Sequence, residues 1–398
     1  MKIAAIETLY AREFENVCWV RVHTDAGIVG LGETFYGAGA VCAHIHDTLA
    51  ARLIGKDPLR IEALHKDLVN LPMAQSSTGA EYRAASAIDI ALWDLWGRAT
   101  HQPVHQLLGG LCRDKLRIYN TCAGYQYVRN RAIRPVDTWN LGGDGPYEDL
   151  NAFMTDAGAL AENLLEGGIN AMKIWPFDPA AMETGGIDIS NEQLKTALKP
   201  FELIRTRVGD KMDIMVEFHS LWNLTTAKRI AKALEPYAPT WFEDPIRMNS
   251  SQALSEYARS TTVPVCASET LGSRWPYKEM LDRDAIGVVM VDLCWTGGLT
   301  EGRKIAAMAE TYHKPFAPHD CIGPVGFAAA VHMSFSQPNT LIQESVRAFY
   351  NGWYKELVTV TPTIRDGYVY PMQGSGLGLD LRPEVFERPD LVVRRSQA

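Results

Sequence analysis

The sequence lacks the features that mark several classes of protein. Its seven cysteines are scattered and odd in number, and no two of them form a C-x-x-C pair, so neither a zinc site nor a disulfide framework is indicated. It has no run of lysine and arginine, and a formal net charge of -8 argues against a nucleic-acid surface. No apolar stretch is long enough to span a membrane, and residues 1–9 lack the apolar core of a signal peptide. We therefore expect a soluble cytoplasmic protein that binds neither nucleic acid nor membrane.

From about residue 116, short apolar segments alternate with amphipathic helical patterns. Eight strands in this alternation imply a parallel sheet, and eight is the number that closes a barrel. An open doubly wound sheet usually has fewer strands and a glycine-rich phosphate loop after the first one, and no such loop occurs here. The predicted strands are L-R-I-Y-N, A-M-K-I-W, D-I-M-V-E, T-W-F-E, V-P-V-C-A-S-E, G-V-V-M-V-D, P-F-A-P-H and T-L-I-Q-E.

The segments on either side of these strands have a different character. Residues 16–35 predict a hairpin that turns at Asp25–Gly27, and apolar residues at helical spacing predict a helix over Glu81–Ala99. Residues 135–148 are rich in glycine and proline and predict a loop. We expect an α+β domain at 1–115, a (β/α)8-type barrel at 116–353, and a C-terminal segment at 354–398 that packs back on the first domain.

The ends of six consecutive predicted strands carry ionisable residues. They follow one another at intervals of 23 to 27 residues, which is about the length of one β/α unit in a barrel of roughly 250 residues. An ionisable residue therefore lies at the carboxyl end of each of these strands, and in barrels the catalytic site lies at that end. These residues are Glu217, Glu243, Glu269, Asp292, His319 and Glu344.

Three of these residues, Glu217, Glu243 and Glu269, predict a metal site. Neighbouring carboxylates cannot all stay ionised without compensation, and a hard divalent cation with oxygen ligands, Mg²⁺, supplies it. One such glutamate alone is as well explained as a solvated strand-end residue, but three at one repeat interval favour the site.

Other polar residues fit a reaction at the same end. Asp292 ends the strand before His319, and a carboxylate beside an imidazole orients it and raises its pKa, which makes a general base. Lys173 lies in an apolar strand, so its ammonium is directed at a substrate carboxylate or extends to solvent. His219 follows Glu217 by two residues, so alternation along an extended strand places both side chains on one side. It is interpreted as a general acid, with a supporting or ligating role as the alternatives.

These motifs resemble the mandelate racemase subgroup of the enolase superfamily over nearly the whole chain. The segment R-A-A-S-A-I-D-I-A-L-W-D-L-W-G-R is similar to the family's signature helix. The strings W-F-E-D-P, A-S-E-T and V-D-L…P-H-D resemble its metal and His–Asp motifs, and Q-E-S places Glu344 where the family polarises the substrate carboxylate. The resemblance implies an α+β cap over a modified barrel, and a base that removes the proton α to a carboxylate while Mg²⁺ stabilises the enediolate.

Two departures from the family pattern narrow the prediction. Members that racemise or cycloisomerise often carry K-x-K on the second strand, whereas this chain has Lys173-Ile174-Trp175, so the second lysine base is missing. The third-strand ligand is commonly aspartate and here is Glu217. In addition, His219 resembles the third-strand histidine of sugar-acid dehydratases, which protonates the departing hydroxide.

We therefore predict a dehydratase that converts a sugar acid to a 2-keto-3-deoxy acid, with His319, Asp292, His219, Lys173 and Glu344 as catalytic groups. A cycloisomerase of a lactone or anhydro sugar acid and a one-base epimerase are alternatives on the same metal site. A non-catalytic sugar-acid binder would leave every catalytic position filled without use, and a Schiff-base aldolase would leave three carboxylates without a role. Cap segments near Tyr10–Val17 and Phe35–Gly39 are expected to select the sugar acid. The resemblance also implies a homo-oligomer.

Overall fold

The computed structural model describes residues 1–69, 78–129, 139 and 145–397. Most of the loop predicted at 135–148 lies outside the described residues. Within these ranges, no helix is long and apolar enough to cross a bilayer.

The strands and helices follow the chain in this order. The strands are β1 (Ile3–Ala11), β2 (Val17–Thr24), β3 (Val29–Phe35), β4 (Leu116–Thr121), β5 (Ala171–Ile174), β6 (Asp213–Glu217), β7 (Trp241–Glu243), β8 (Val265–Ala267), β9 (Val288–Val291), β10 (Phe316–Pro318), β11 (Gln343–Ser345), β12 (Ile364–Arg365), β13 (Tyr368–Val369) and β14 (Leu391–Gln397). The α-helices are α1 (Ala38–His44), α2 (Ala50–Leu53), α3 (Ile61–Val69), α4 (Ala80–Thr100), α5 (Val104–Leu107), α6 (Asp149–Glu166), α7 (Asp178–Thr184), α8 (Asn191–Val208), α9 (Leu224–Leu234), α10 (Ser251–Ala258), α11 (Arg274–Asp282), α12 (Gly298–Thr311), α13 (Pro324–Ser336), α14 (Arg347–Tyr350), α15 (Tyr354–Leu357) and α16 (Pro383–Phe386).

A four-stranded antiparallel sheet forms the core of the cap, in the order β14-β1-β2-β3. The predicted hairpin is confirmed, because β2 and β3 pair and the chain turns between them at Gly27, where φ is +78°. A positive φ costs glycine little, since it has no Cβ to clash with the backbone. The hairpin presents the end of β3 to the barrel.

The predicted signature helix is also confirmed as α4, and it packs directly on β3. A Cβ atom at Gly30 would lie 2.0 Å from the carbonyl oxygen of Ala91, and one at Gly32 would lie 1.9 Å from that of Ala87. No side chain fits such a gap, so these two glycines let the strand and the helix approach each other closely. This packing fixes where the cap stands over the barrel.

The barrel is built from eight parallel strands, and it confirms the predicted fold class. Strands β4 to β10 pair in sequence, β11 pairs in parallel with β4, and a bridge between Phe316 and Thr340 brings the segment before β11 alongside β10. All eight predicted strands occur, although several are shorter than predicted. The strand predicted around β8, for example, extends to Glu269. In the structure, pairing with the neighbouring strand stops at Ala267, and the chain continues as a loop at that end of the barrel.

The C-terminal segment contacts both units. Strand β14 pairs with β1 at the edge of the cap sheet, and the β12–β13 hairpin pairs with β4 of the barrel. We propose domain boundaries at residues 115/116 and 353/354, with 354–398 as a strap that ties cap and barrel together.

A pair of stacked histidines lies where α5 meets α13. The Nε2 atom of His332 lies 3.2 Å from the carbonyl oxygen of Leu377 and donates to it, which leaves Nδ1 as an acceptor. That Nδ1 atom accepts from the backbone N–H of His105, 3.1 Å away, and lies 3.1 Å from Nδ1 of the His105 ring. Burial, together with the neighbouring His105, lowers the pKa of His332 to about 3.

This pair predicts that the fold loses stability in mild acid. The pKa of this histidine is near 6.5 in the unfolded chain and about 3 in the folded one, so between these values only the unfolded state takes up the proton. The free energy of unfolding therefore falls by about 1 kcal/mol for each pH unit from about pH 6 to pH 4. We expect the urea midpoint to fall over that window, and to fall less in His332→Gln. Equal slopes for the two proteins would contradict this account.

Candidate active site

The residues predicted at the strand ends meet at one end of the barrel. Glu217 and Glu243 are the last residues of β6 and β7, Glu344 lies within β11, and the other three follow their strands by one or two residues. Parallel strands that start together also end together, so residues far apart in sequence meet there. The residues that follow a strand are Glu269 after β8, Asp292 after β9 and His319 after β10.

Glu217, Glu243 and Glu269 form a carboxylate cluster in which one oxygen from each lies within 4.8 Å of the others. The first two side chains are fully buried, and that of Glu269 is 14% exposed. The Oε1 atom of Glu217 accepts the backbone N–H groups of residues 218 and 219, at 2.9 and 2.5 Å. Among the residues that the structure describes, its Oε2 atom is buried and has no hydrogen-bond partner. The cluster therefore contains a buried acceptor oxygen that no described donor satisfies by a hydrogen bond.

This donor set fits a hard divalent cation. Burial raises the pKa of Glu217 to about 8, and burial and the Glu217 charge raise that of Glu243 well above its usual range, so these two carboxylates favour their protonated forms when no cation is bound. Three carboxylate oxygens are ligands of the kind that Mg²⁺ prefers. A cation among them would replace those protons and would also neutralise the charge that Glu269 directs at its neighbours.

Lys173, on β5, joins the cluster to Glu344. Its Nζ atom lies 2.5 Å from Oε1 of Glu243, 2.9 Å from Oε1 of Glu344 and 3.6 Å from Oε2 of Glu217. Burial alone would lower the pKa of Lys173, but these carboxylates raise it well above its usual range. The lysine is therefore a fixed positive charge inside the barrel mouth, and it does not extend to solvent.

His319 is held between two carboxylates. Its Nδ1 atom lies 2.7 Å from Oδ2 of Asp292, and its Nε2 atom lies 2.8 Å from Oε2 of Glu269. Burial alone would lower the pKa of His319, but Glu269 and Glu344 and the hydrogen bond to Asp292 raise it well above 6.5. The hydrogen bond to Asp292 leaves Nε2 as the atom that faces the cluster.

His219 also reaches this site, but not in the predicted way. The strand ends at Glu217, and His219 and Ser220 have φ of +47° and +58°, so the chain turns instead of continuing as an extended strand. The inference that strand alternation aligns Glu217 with His219 was therefore wrong. The turn brings Nδ1 of His219 to 2.7 Å from Oδ2 of Asp178, at the start of α7. Burial lowers the pKa of His219, but Asp178 outweighs burial and raises it.

One pocket opens onto these groups. Of the two cap segments expected to select substrate, Phe35–Gly39 contributes Tyr36 to the pocket lining. The other segment, Tyr10–Val17, contacts the pocket wall, since Asn16 donates a 2.6 Å hydrogen bond to the carbonyl of Val128. Trp295 stacks on Tyr36 and packs against His319, with ring centroids 5.7 and 5.4 Å apart. The described lining comprises Tyr36, Thr121, Tyr127, Val128, Lys173, Trp175, His219, Glu269, Trp295, His319 and Cys321.

Sequence reasoning missed several of these residues. Asp178 follows the predicted strand A-M-K-I-W by three residues, at the same barrel end as the other carboxylates, and that position was a usable signal. The aromatic residues Tyr127 and Trp295 offered none, because aromatic side chains in loops are equally typical of packing.

Both halves of the chain match one family. Residues 5–109 match the sequence model of the mandelate racemase/muconate lactonizing enzyme N-terminal domain, and residues 156–385 match that of the enolase C-terminal domain-like family. Together the two matches cover most of the cap and of the barrel.

Individual relatives span the full length. A D-galactonate dehydratase of Pectobacterium atrosepticum is 31% identical, over 100% of this chain and 95% of its own. One of Xanthomonas axonopodis pv. citri is 33% identical, over 98% and 94%. Among solved structures, an enolase of the mandelate racemase subgroup from Agrobacterium tumefaciens is 49% identical, with a TM-score of 0.89 over 100% of this chain and 99% of its own.

Proposed function

This chain belongs to the mandelate racemase/muconate lactonizing enzyme family of the enolase superfamily, and from that premise we propose that it is a Mg²⁺-dependent sugar-acid dehydratase. The reaction removes the proton α to the carboxylate and then the β-hydroxyl as water, which gives a 2-keto-3-deoxy acid. Relatives named D-galactonate dehydratase support an aldonic acid as the substrate class. We also propose a homo-oligomer, which light scattering of the purified protein can test.

The observation that carries the proposal is a pocket with one histidine from β10 and another from the turn after β6. His319 and His219 both line it, and each is held at Nδ1 by a carboxylate. An elimination needs one group to accept the α-proton and another to protonate the leaving hydroxyl. The two histidines supply one group for each task.

His319 serves as the base in this proposal. Where the cluster holds a cation that neutralises the Glu269 charge, the Nε2 atom would accept the α-proton, and Asp292 stabilises the imidazolium through the 2.7 Å hydrogen bond at Nδ1. Trp295 packs against the ring and shields it from bulk water.

Lys173, together with a cation in the carboxylate cluster, would hold the substrate's acid group. The lysine ammonium binds one carboxylate oxygen and stays directed at the pocket because Glu344, which also accepts from Thr121 and from the N–H of Asp320, holds it from behind. Mg²⁺ held by Glu217, Glu243 and Glu269 would supply the further positive charge that stabilises the enediolate.

His219 serves as the acid. It donates a proton to the 3-hydroxyl as the carbon–oxygen bond breaks, so that water and not hydroxide leaves. The resulting enol then takes a proton at C3 to give the ketone. Because Trp175 occupies the position of the second lysine base, a two-base racemisation through that strand lacks its base. A one-base epimerase breaks no carbon–oxygen bond and would need no such acid.

A substrate panel tests the proposal. The enzyme with Mg²⁺ is incubated with diastereomeric aldonic and aldaric acids, D-galactonate included, and 2-keto-3-deoxy product is assayed. We expect turnover of an aldonic acid, and its loss when EDTA removes the cation. A panel without product would contradict dehydration. Lactones and anhydro sugar acids then test the cycloisomerase alternative.

A further inference from the structure

The site contains two carboxylate–imidazole pairs with the same geometry. In each pair the Nδ1 atom of the histidine lies 2.7 Å from a carboxylate oxygen, in His319–Asp292 and in His219–Asp178. We propose that Asp178 is the positioning residue for His219, which it fixes so that Nε2 is presented to the hydroxyl that leaves. The inference rests on the proposed dehydration and concerns only its second half.

The hydrogen bond decides which nitrogen of His219 can reach substrate. With Asp178 as the acceptor, Nδ1 carries a hydrogen and is engaged away from the reaction. Across the described ranges, Nε2 makes no hydrogen bond, and the ring lines the pocket with its side chain 27% exposed. The edge of Trp175 packs against the same ring at 5.8 Å between centroids and limits its rotation. The free nitrogen is therefore the one that faces the substrate.

The surroundings of Asp178 argue against a purely structural role. Its side chain is buried, and within the described part of the chain Oδ1 has no hydrogen-bond partner and His219 is the side chain that Oδ2 contacts. A structural buried carboxylate in the same barrel looks different, since Asp149 receives two 2.6 Å hydrogen bonds from Arg347 and a 2.9 Å one from Asn120. Burying a carboxylate with one oxygen unsatisfied is unfavourable. This unfavourable burial is consistent with a residue whose role is to position His219.

The chain around both residues is shaped to make this contact. Strand β5 ends at Ile174, and Pro176 and Pro179 flank the turn that places Asp178 in the first turn of α7. On the other side, His219 has a left-handed backbone, which few residues other than glycine adopt without strain. The turn after β5 and the left-handed backbone of His219 together bring the imidazole and the carboxylate into contact above the barrel end.

If Asp178 acts through His219, its loss should affect elimination and spare proton abstraction, because His319 has its own carboxylate. The wild type and Asp178→Ala are compared in D₂O with Mg²⁺ and the acid that the wild type dehydrates. Product formation and deuterium at C2 of the recovered acid are followed by ¹H NMR. We expect product formation to fall at least ten-fold in Asp178→Ala while C2 exchange continues, so that the ratio of exchange to elimination rises.

Two further variants separate positioning from damage to the fold. In a His219→Asn background, Asp178→Ala should cause no additional loss, because residues that act as one unit are not additive. Asp188→Ala, at an exposed aspartate, is the matched control and should match the wild type. If Asp178→Ala does not fold, Asp178→Asn, with nearly the same volume, is judged by the same ratio.

Several results would overturn the inference. They are an unchanged ratio, a parallel loss of exchange and elimination, or a further loss in the His219→Asn background. A wild type that dehydrates no acid would instead refute the proposed function itself, so the two failures are distinguishable.

Discussion

Replacing His319 with asparagine should reduce both C2 proton exchange and dehydration by at least about 10³-fold, which corresponds to about 4 kcal/mol of transition-state stabilisation. Asparagine is close in size to histidine, but it has no basic nitrogen to take the α-proton. The effect should fall on kcat, because Lys173 and a cation held by the carboxylate cluster would still bind the acid group. Steady-state kinetics and exchange in D₂O measure the two losses.

A surface histidine gives the control for this substitution. His101 is exposed and lies in a left-handed position just after α4, where asparagine is well tolerated, so His101→Asn should keep wild-type rates. The account would be contradicted if His319→Asn lost dehydration but kept C2 exchange. Such a result would assign proton abstraction to another group and would leave His319 a role in a later step.

Replacing Glu217 with glutamine should weaken Mg²⁺ binding by more than about 100-fold and remove activity at ordinary Mg²⁺ concentrations. Glutamine keeps the size and can still accept the two backbone N–H groups at residues 218 and 219. It loses the charge, however, and presents either an amide N–H or a neutral oxygen to the other carboxylates. Calorimetric titration with Mg²⁺ measures the affinity directly, without substrate.

Glu166→Gln is the matched control, since Glu166 is exposed at the end of α6 and should leave Mg²⁺ affinity unchanged. High Mg²⁺ should restore part of the activity of Glu217→Gln if the substitution acts on the cation alone. Unchanged Mg²⁺ affinity in that variant would remove Glu217 from the ligand set.

The architecture could be predicted largely because buried parallel strands leave a strong pattern. Strands β6 and β9, for example, are almost continuous runs of apolar residues that each lead to a carboxylate. Strand ends were less accurate, as β8 and β11 show, because ladder pairing depends on neighbours that one segment does not reveal.

The spacing of the motifs along the chain predicted which residues form the site, but it did not predict the contacts between them. A repeat of about 25 residues indicates which side chains share a barrel end, so the acidic cluster and the approach of His319 to Asp292 were accessible from sequence. The position of the His219 side chain was not accessible from sequence, because nothing in F-H-S indicates a left-handed turn, which residues other than glycine adopt only rarely. The ion pairs of Lys173 were likewise hidden, since its partners lie 44, 70 and 171 residues away.

The contacts of Asp178 and Tyr36 illustrate the remaining gap. The position of Asp178 after β5 could place it at this barrel end, but only the path of the loop after β6 makes it a partner of His219. Tyr36 enters the pocket from the other domain, through the packing of β3 on α4 and the stacking of its ring on Trp295. Contacts of this kind depend on tertiary structure.

The account's central claim is that α-proton removal leads to loss of the β-hydroxyl at a cation-dependent site. The most direct test is ¹H NMR of wild-type turnover in D₂O with Mg²⁺ and the acid that gives product in the panel. We predict a 2-keto-3-deoxy acid that carries deuterium at C3, with little deuterium at C2 of the remaining acid and no reaction in EDTA. Deuterium at C2 of an otherwise intact or epimerised acid, without elimination, would contradict dehydration and favour the epimerase or cycloisomerase alternative.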